Sequence, residues 1–491
     1  MRHPKFFKIL TFLISSSFLS TTSFGGISSS LRPQPPCPLP PESQASVSLQ
    51  ETLERAYMQN SDLDAARAGL RATDETVSQA NADWRPSLSV EGTQDHRQSY
   101  PIGDHSLSSR SHNGTTQYTA FLSQNVFKGG ATVAQIGIAE SNVLAGKANL
   151  FTQEQTTLID AIQAHTNVLA KEAIVKYRKE SLDFNKKNFE RAEARFEVGE
   201  GSRTEVEASR AQYEKAKADL SIALGDFESS KATYARQIGN PPGRLAPAKV
   251  ILTVPKTVEE ALEVARIRNP TIIQARYALE AAEYNVNLQI AGLLPTVDVQ
   301  GRAGNSRGAG THNPNVPSHP KRTDLAFTAT VGVPLYSQGI PNSKIRQAYQ
   351  QVAQQKILIV SAERQVAEFV KIAWDNLVAA RESVKGFLAQ VKAEELAVEG
   401  AVEEVNVGTK TMIDVLELQQ RLIDAQVNLT NAQKTLIDAG YQVLQSMGRL
   451  TACDLRLRVQ YYDPDAYYNE YKDAWIQFWQ GEDLRYVKGE Y

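Results

Sequence analysis

One order of residues occurs twice in this chain, at a constant offset of 209 positions. Asn60-Ser61 recurs as Asn269-Pro270, Trp84-Arg85-Pro86 as Leu293-Leu294-Pro295, and Gly92 as Gly301. Thr119-Ala120 recurs as Thr328-Ala329, Gly130 as Gly339, Val198-Gly199 as Val407-Gly408, Val206 as Val415, and Gly239 as Gly448. Two halves that share one element order and have gained no net insertion must fold as two copies of one architecture. The units span 48–248 and 249–457, with an aromatic-rich tail over 458–491.

Within each unit the hydrophobic period changes in the same sequence. A helical period over about 48–84, with Leu53, Ala56 and Leu63 on its apolar side, and over about 257–293 predicts one medium helix, ended by Pro86 or Pro295. Two alternating segments follow, at 87–98 and 115–127 and again at 296–306 and 323–336. In the last, Leu325, Phe327, Ala329, Val331, Val333 and Leu335 fall on one face and Asp324, Thr328 and Thr330 on the other, the period-two signature of a strand. Each strand pair is separated by a polar loop.

Two very long helices then close each unit. No proline occurs between Ala131 and Asn240, or between Asn342 and Asp463. A single helix from Gly130 to Val198 would be about 100 Å long, more than an ordinary globular core needs. After each Val-Gly turn a heptad seam begins. It runs Val415, Leu418, Leu422, Ala425, Leu429, Ala432, Leu436, Ala439, Val443 in the second unit. Its counterpart in the first is Val206, Ser209, Tyr213, Ala216, Leu220, Ala223, Phe227, Ser230, Tyr234. Large residues alternating with small ones let neighbouring helices approach closely, as in a coiled coil.

The N-terminus reads as a secretory signal over 1–25, with Arg2, Lys5 and Lys8, an apolar stretch from Ile9 to Leu19, and a small-x-small cleavage site at Ser23-Phe24-Gly25. A disordered or anchoring N-terminus is the alternative. Residues 26–47 form a proline-rich spacer. Cys37 lacks a lipidation box; it and Cys453 are the only thiols, either bridged in an oxidising compartment or both free.

Beyond the signal no apolar run is long enough for a membrane helix. The strands are: 11–14 residues suits a tilted transmembrane strand. Four strands cannot close a barrel with a lumen, and open edges are not tolerated in lipid, so membrane strands require several chains to pool them. Trp84, Phe127 and Tyr336 fall where strand meets helix, the level of an interfacial aromatic girdle.

The order helix–strand–strand–long helix–turn–helix, given twice, resembles the TolC family of outer-membrane efflux and type I secretion channels. Val407-Gly408-Thr409-Lys410-Thr411-Met412-Ile413-Asp414-Val415-Leu416 is similar to that family's periplasmic-turn motif, with a looser copy from Val198 to Val206. The resemblance implies a mainly α fold with a membrane β part: a homotrimer whose helices form an α-barrel and whose four strands per chain form a 12-stranded β-barrel. It implies a passive exit duct in the outer membrane with a large periplasmic part, set in outer-membrane lipid. A periplasmic adaptor protein and an inner-membrane transporter are the implied partners. Asp414 and Glu417 would form acidic rings at a periplasmic gate, with Lys410 linked to Glu205 of the other turn. Val198, Gly199, Val407, Gly408 and Thr409 would be the adaptor-contact turns.

No HExxH, GxSxG or GxxxxGK[ST] signature is present, so no catalytic residue, cofactor or metal ligand is assigned. Lys+Arg total 53 against 55 Asp+Glu, which gives no general attraction for nucleic acid. Five histidines (His96, His105, His112, His312 and His319) lie in or beside the polar loops and read as solvated. The tail concentrates aromatics, Tyr461, Tyr462, Tyr467, Tyr468, Trp475 and Trp479 among them, as a band around the helices or as a mobile end. The rival reading of the whole chain is a periplasmic or surface coiled-coil scaffold or adhesin without channel activity.

Overall fold

The computed structural model describes residues 47–99, 111–248, 255–308, 321–407 and 409–475. The signal, nearly all of the proline spacer, Cys37, Gly408, Trp479 and His105, His312 and His319 lie outside the described residues. The first unit runs α1 (Leu49–Gln59), α2 (Ser61–Asn81), β1 (Ser87–Ser99), β2 (Ser111–Lys128), α3 (Ala131–Glu197) and α4 (Arg203–Ile238). The second repeats it as α5 (Val258–Arg268), α6 (Pro270–Ala291), β3 (Thr296–Gly308), β4 (Lys321–Gly332), α7 (Ile340–Asn406) and α8 (Met412–Ser446). A short α9 (Ala466–Tyr471) follows.

The single medium helix expected in each unit is two helices. Asn60 and Asn269 break them with extended backbone, at φ −74° and −67°. Each Oδ1 accepts the N–H two residues on, at 3.0 Å, capping α2 or α6. Each Nδ2 donates to a carbonyl at the end of its unit's return helix: Gln237 for Asn60 and Ser446 for Asn269, both at 2.9 Å. One asparagine per repeat thus starts a helix and stitches it to the long hairpin, beside Gly239 or Gly448, which are left-handed at φ +89° and +73°. Hydrophobic periodicity continues across the break, so only the Asn-Ser and Asn-Pro cap chemistry marks it.

α3 and α7 each have 67 residues, about 100 Å at the standard rise. Each starts at a left-handed glycine, Gly130 or Gly339. The small and apex residues of both seams are buried: Ser209, Ala216, Ala223, Ser230 and Tyr234, and Val415, Leu422, Ala425, Ala432, Ala439 and Val443. The main apolar core gathers where α1, the middle of α3 and α7, and the ends of α4 and α8 meet.

That core is not symmetric between repeats. In the first unit the buried His165 lies 2.9 Å from the Thr52 hydroxyl through Nδ1 and 3.0 Å from the Ala246 carbonyl through Nε2. A carbonyl can only accept, so Nε2 carries the proton and Nδ1 accepts from Thr52. Burial lowers the imidazole pKa, keeping the ring neutral. The positions 209 beyond Thr52 and His165 are Ala261 and Trp374, which carry neither the hydroxyl nor the imidazole.

Among the described residues the four strands form one antiparallel sheet in the order β1-β2-β3-β4, with β1 and β4 as its unpaired edges. β2 pairs with β3 across the repeat boundary and is bulged between Asn125 and Phe127. β4 is shorter than the segment expected to 336. It ends at Gly332, opposite the first residue of β3, and Pro334 has no N–H with which to extend the ladder.

The register sorts the residues by face. Leu88, Leu122, Gly301 and Phe327 form one lateral row, and Val90, Ala120, Ala303 and Leu325 the next. Leu325 and Phe327 are 72% and 75% exposed in the protomer. The opposite face carries Glu91, Thr119, Gln300, Arg302, Asp324 and Thr328. The Tyr118 ring covers Gly92 and the Phe327 ring covers Gly301, where an added Cβ would meet ring carbons at 3.3 and 3.2 Å. These glycine–aromatic pairs are themselves related by the 209-residue offset.

The residues after α8 run back along the first unit. Ala452 N–H donates to the Glu154 carboxylate at 2.7 Å, Tyr462 N–H to the Tyr57 hydroxyl at 3.1 Å, and Tyr467 to Glu75 at 2.7 Å. Lys147 pairs with Asp465, and the Arg67 guanidinium lies over the rings of Tyr57 and Tyr462. Of the two readings of this tail, a packed band describes residues 461–474.

Two carboxyls sit beneath this strap. Burial pushes Glu154 up to about 7, against the opposing Ala452 N–H and Arg67. It pushes Asp74 up to about 6, opposed by Lys147 and reinforced by Asp465 and Glu75. Asp74 is 4% exposed, and neither oxygen has a hydrogen-bond partner among the described residues. Both folded-state values lie above the ordinary carboxyl range, so the fold favours the protonated forms. Their penalty is present above pH 7 and is relieved as the pH falls toward 4. The thermal midpoint of detergent-extracted protein is therefore expected to rise between pH 8 and pH 5. An Asp74→Asn, Glu154→Gln variant should show a flatter profile.

Candidate functional site at the hairpin turns

The return ends of the two hairpins are built on one plan with different charges. Val198 caps the end of α3, Gly199 is left-handed at φ +81°, and the Glu200 N–H donates to the Arg195 carbonyl at 2.9 Å. In the second hairpin Val407 caps the end of α7, and the Thr409 N–H and hydroxyl both donate to the Glu404 carbonyl, at 2.9 and 3.0 Å. The return helices start at Ser202 and Thr411, equivalent positions whose hydroxyls accept the N–H of Glu205 and Asp414.

Only the second hairpin completes a reciprocal cap. The Asp414 carboxylate accepts from the Thr411 N–H at 3.0 Å and from its hydroxyl at 2.7 Å. These two bonds hold its pKa below the ordinary aspartate value by favouring the charged form. Asp414 is therefore a helix-capping residue as well as a candidate ring charge. The Thr-x-x-Asp spacing carries that signal in the sequence. Glu417 lies one turn further on and is exposed.

The expected Lys410–Glu205 link does not form within the protomer. Lys410 Nζ lies 2.6 Å from Glu404 and Glu205 lies 3.7 Å from Arg195, each partner belonging to the same hairpin. Each turn is so short that the ion on one arm reaches the opposite arm before it reaches the other hairpin. These exposed pairs contribute about 0–1 kcal/mol each. The hairpins also present apolar side chains to solvent at the turns: Phe196, Val198, Val407 and Ile413.

At the other end of α2 and α3 the helix–strand junctions are clamped. Asp83 pairs with Lys128 at 3.0 Å and accepts from Thr132 at 3.3 Å, while Gln124 donates to the Trp84 carbonyl at 3.1 Å. Trp84, Phe127 and Tyr336 are all exposed there, Tyr336 at 85%.

A sheet with one apolar face and two unpaired edges, carried on long antiparallel helical hairpins, defines a class: outer-membrane channel proteins that combine strands with a helical conduit. The family model described as outer membrane efflux protein matches twice, over residues 52–240 and 261–452. The chain belongs to that family, and its compartment is the outer membrane. It is 32% identical to the outer membrane efflux protein BepC of Brucella suis biovar 1 over 442 residues, 88% of this chain and 92% of that protein. It is 26% identical to the outer membrane protein TolC of Escherichia coli over 211 residues, 41% of this chain and 42% of that protein. The solved Campylobacter jejuni CmeC outer membrane channel superposes with a TM-score of 0.70 at 15% identity, covering 87% of this chain and 89% of that one.

Proposed function

We propose that three copies of this chain pool their strands into a 12-stranded barrel and their hairpins into a hollow duct through which solutes leave the periplasm. The observation that carries this is the sheet: an apolar face exposed beside two open edges is stable only when copies close it and lipid covers it. The duct is passive and not an enzyme. Energy enters through an inner-membrane transporter joined by a periplasmic adaptor, and the apolar turn residues with Gly199, Gly408 and Thr409 are the adaptor's footing. Small toxic compounds, an unfolded secreted polypeptide, or both are the cargo. Trp84, Phe127 and Tyr336 form the inner interfacial girdle.

At the turns, Asp414 and Glu417 from each copy form stacked carboxylate rings that attract cations. Glu205 and Lys410 brace the hairpins beside them through Arg195 and Glu404. Because Asp414 also caps α8, the ring charge and the cap are separable. Asp414→Asn retains an acceptor for the Thr411 N–H while removing the charge; Asp414→Ala removes both. Single-channel recordings should show block by a multivalent cation weakened about tenfold or more in Asp414→Asn, Glu417→Gln. Unchanged block would remove these residues from the gate.

A further inference from the structure

The C-terminal strap climbs the first unit in one direction. Its partners move along α1 and α2 from Tyr57 to Glu75 to Asn81, and back along α3 from Glu154 to Lys147, in both cases toward the strands. It reaches the junction itself: Asn81 Nδ2 donates to the Lys472 carbonyl at 3.3 Å, and Arg85 Nη1 to the Ala474 carbonyl at 2.5 Å. Arg85 stands two residues before β1, next to Trp84.

The next residue, Trp475, is 67% exposed, with the Arg85 guanidinium 5.3 Å from its ring. A large aromatic delivered to the solvent side of a clamp is costly in water and favourable where a bilayer meets water, because indole combines an apolar body with a polar N–H. The level matches. Trp84 is exposed beside the same arginine, and the apolar lipid face begins at Leu88, one residue after β1 starts.

We infer that the strap is a second membrane anchor, distinct from the strands: Arg85 and Asn81 hold Trp475 in the headgroup region of the periplasmic leaflet. The partner is the phospholipid interface, and the clamp sets the depth at which the helical conduit hangs below the barrel. The anchor rests on the membrane seating of the strands, and the test separates the two.

The chain has four tryptophans, Trp84, Trp374, Trp475 and Trp479, so full-length proteins retaining one each, the others replaced by Phe, report each position. They are reconstituted in phosphatidylcholine–phosphatidylglycerol vesicles with lipids brominated near the headgroup end of the acyl chain. Trp475 emission is expected to fall about twofold or more, to an extent similar to Trp84, while Trp374 in the helical core is unaffected. Arg85→Ala in the Trp475-only protein should restore at least half of the lost emission. Quenching of Trp84 without quenching of Trp475 would overturn the anchor and leave the strands in lipid; no quenching of either would overturn both. If the triple substitutions prevent folding, the quenchable emission of the native protein compared with Trp475→Phe alone gives the same answer.

Discussion

Leu325→Arg and Phe327→Arg should each remove most folded protein from the outer membrane, whereas Thr328→Arg in the same strand should leave the yield close to normal. The contrast follows from the pleat. Leu325 and Phe327 share the face of Leu88, Val90 and Leu122, and Thr328 shares the face of Gln300. If the first face meets hydrocarbon, a mid-strand arginine costs about 2–4 kcal/mol, in every copy of the barrel. On the polar face the same arginine stays hydrated. Separation of inner and outer membranes with quantification of the folded protein measures it. Equal yields from Phe327→Arg and Thr328→Arg would mean that the exposed apolar face is not covered by lipid.

The second large effect compares the two repeats with each other. Gly239 and Gly448 are equivalent and both left-handed, but their surroundings differ. A Cβ on Gly239 would meet the Gln59 side chain at 3.3 Å, which can move. On Gly448 it would lie 2.6 Å from the Arg268 carbonyl oxygen and 2.8 Å from its carbon, which are backbone. Gly239→Ala is therefore expected to cost only the left-handed conformation, about 1–2 kcal/mol. Gly448→Ala adds a forced backbone shift of about 1–3 kcal/mol and strains the Asn269–Ser446 stitch. Thermal loss of helical circular dichroism in detergent should come several degrees earlier for Gly448→Ala than for Gly239→Ala. Coincident curves would contradict the close approach.

The duplicated order of elements is readable because proline, glycine and hydrophobic period all change at the same offset in both halves. Asn60 and Asn269 show where that reading stops. They stand out as repeated residues, but their side-chain amides bond to Gln237 and Ser446, 177 positions away, and only the folded chain brings those carbonyls near. At the turns, the acidic residues are recognisable from spacing. The partners of Lys410 and Glu205 are not, because a lysine near several carboxylates is assigned by distance, and Glu404 across a short turn is nearer than the other hairpin. The strap's course was open for a related reason: aromatic composition gives no direction, and the direction comes from Glu75, Asn81 and Arg85 receiving it in order.

The sheet's open edges make copy number the central quantity. Native mass spectrometry of the protein extracted in detergent from purified outer membranes measures it directly. The expected result is a particle of three mature chains; a monomer, or recovery of the chain in the detergent-free soluble fraction, would contradict a pooled barrel.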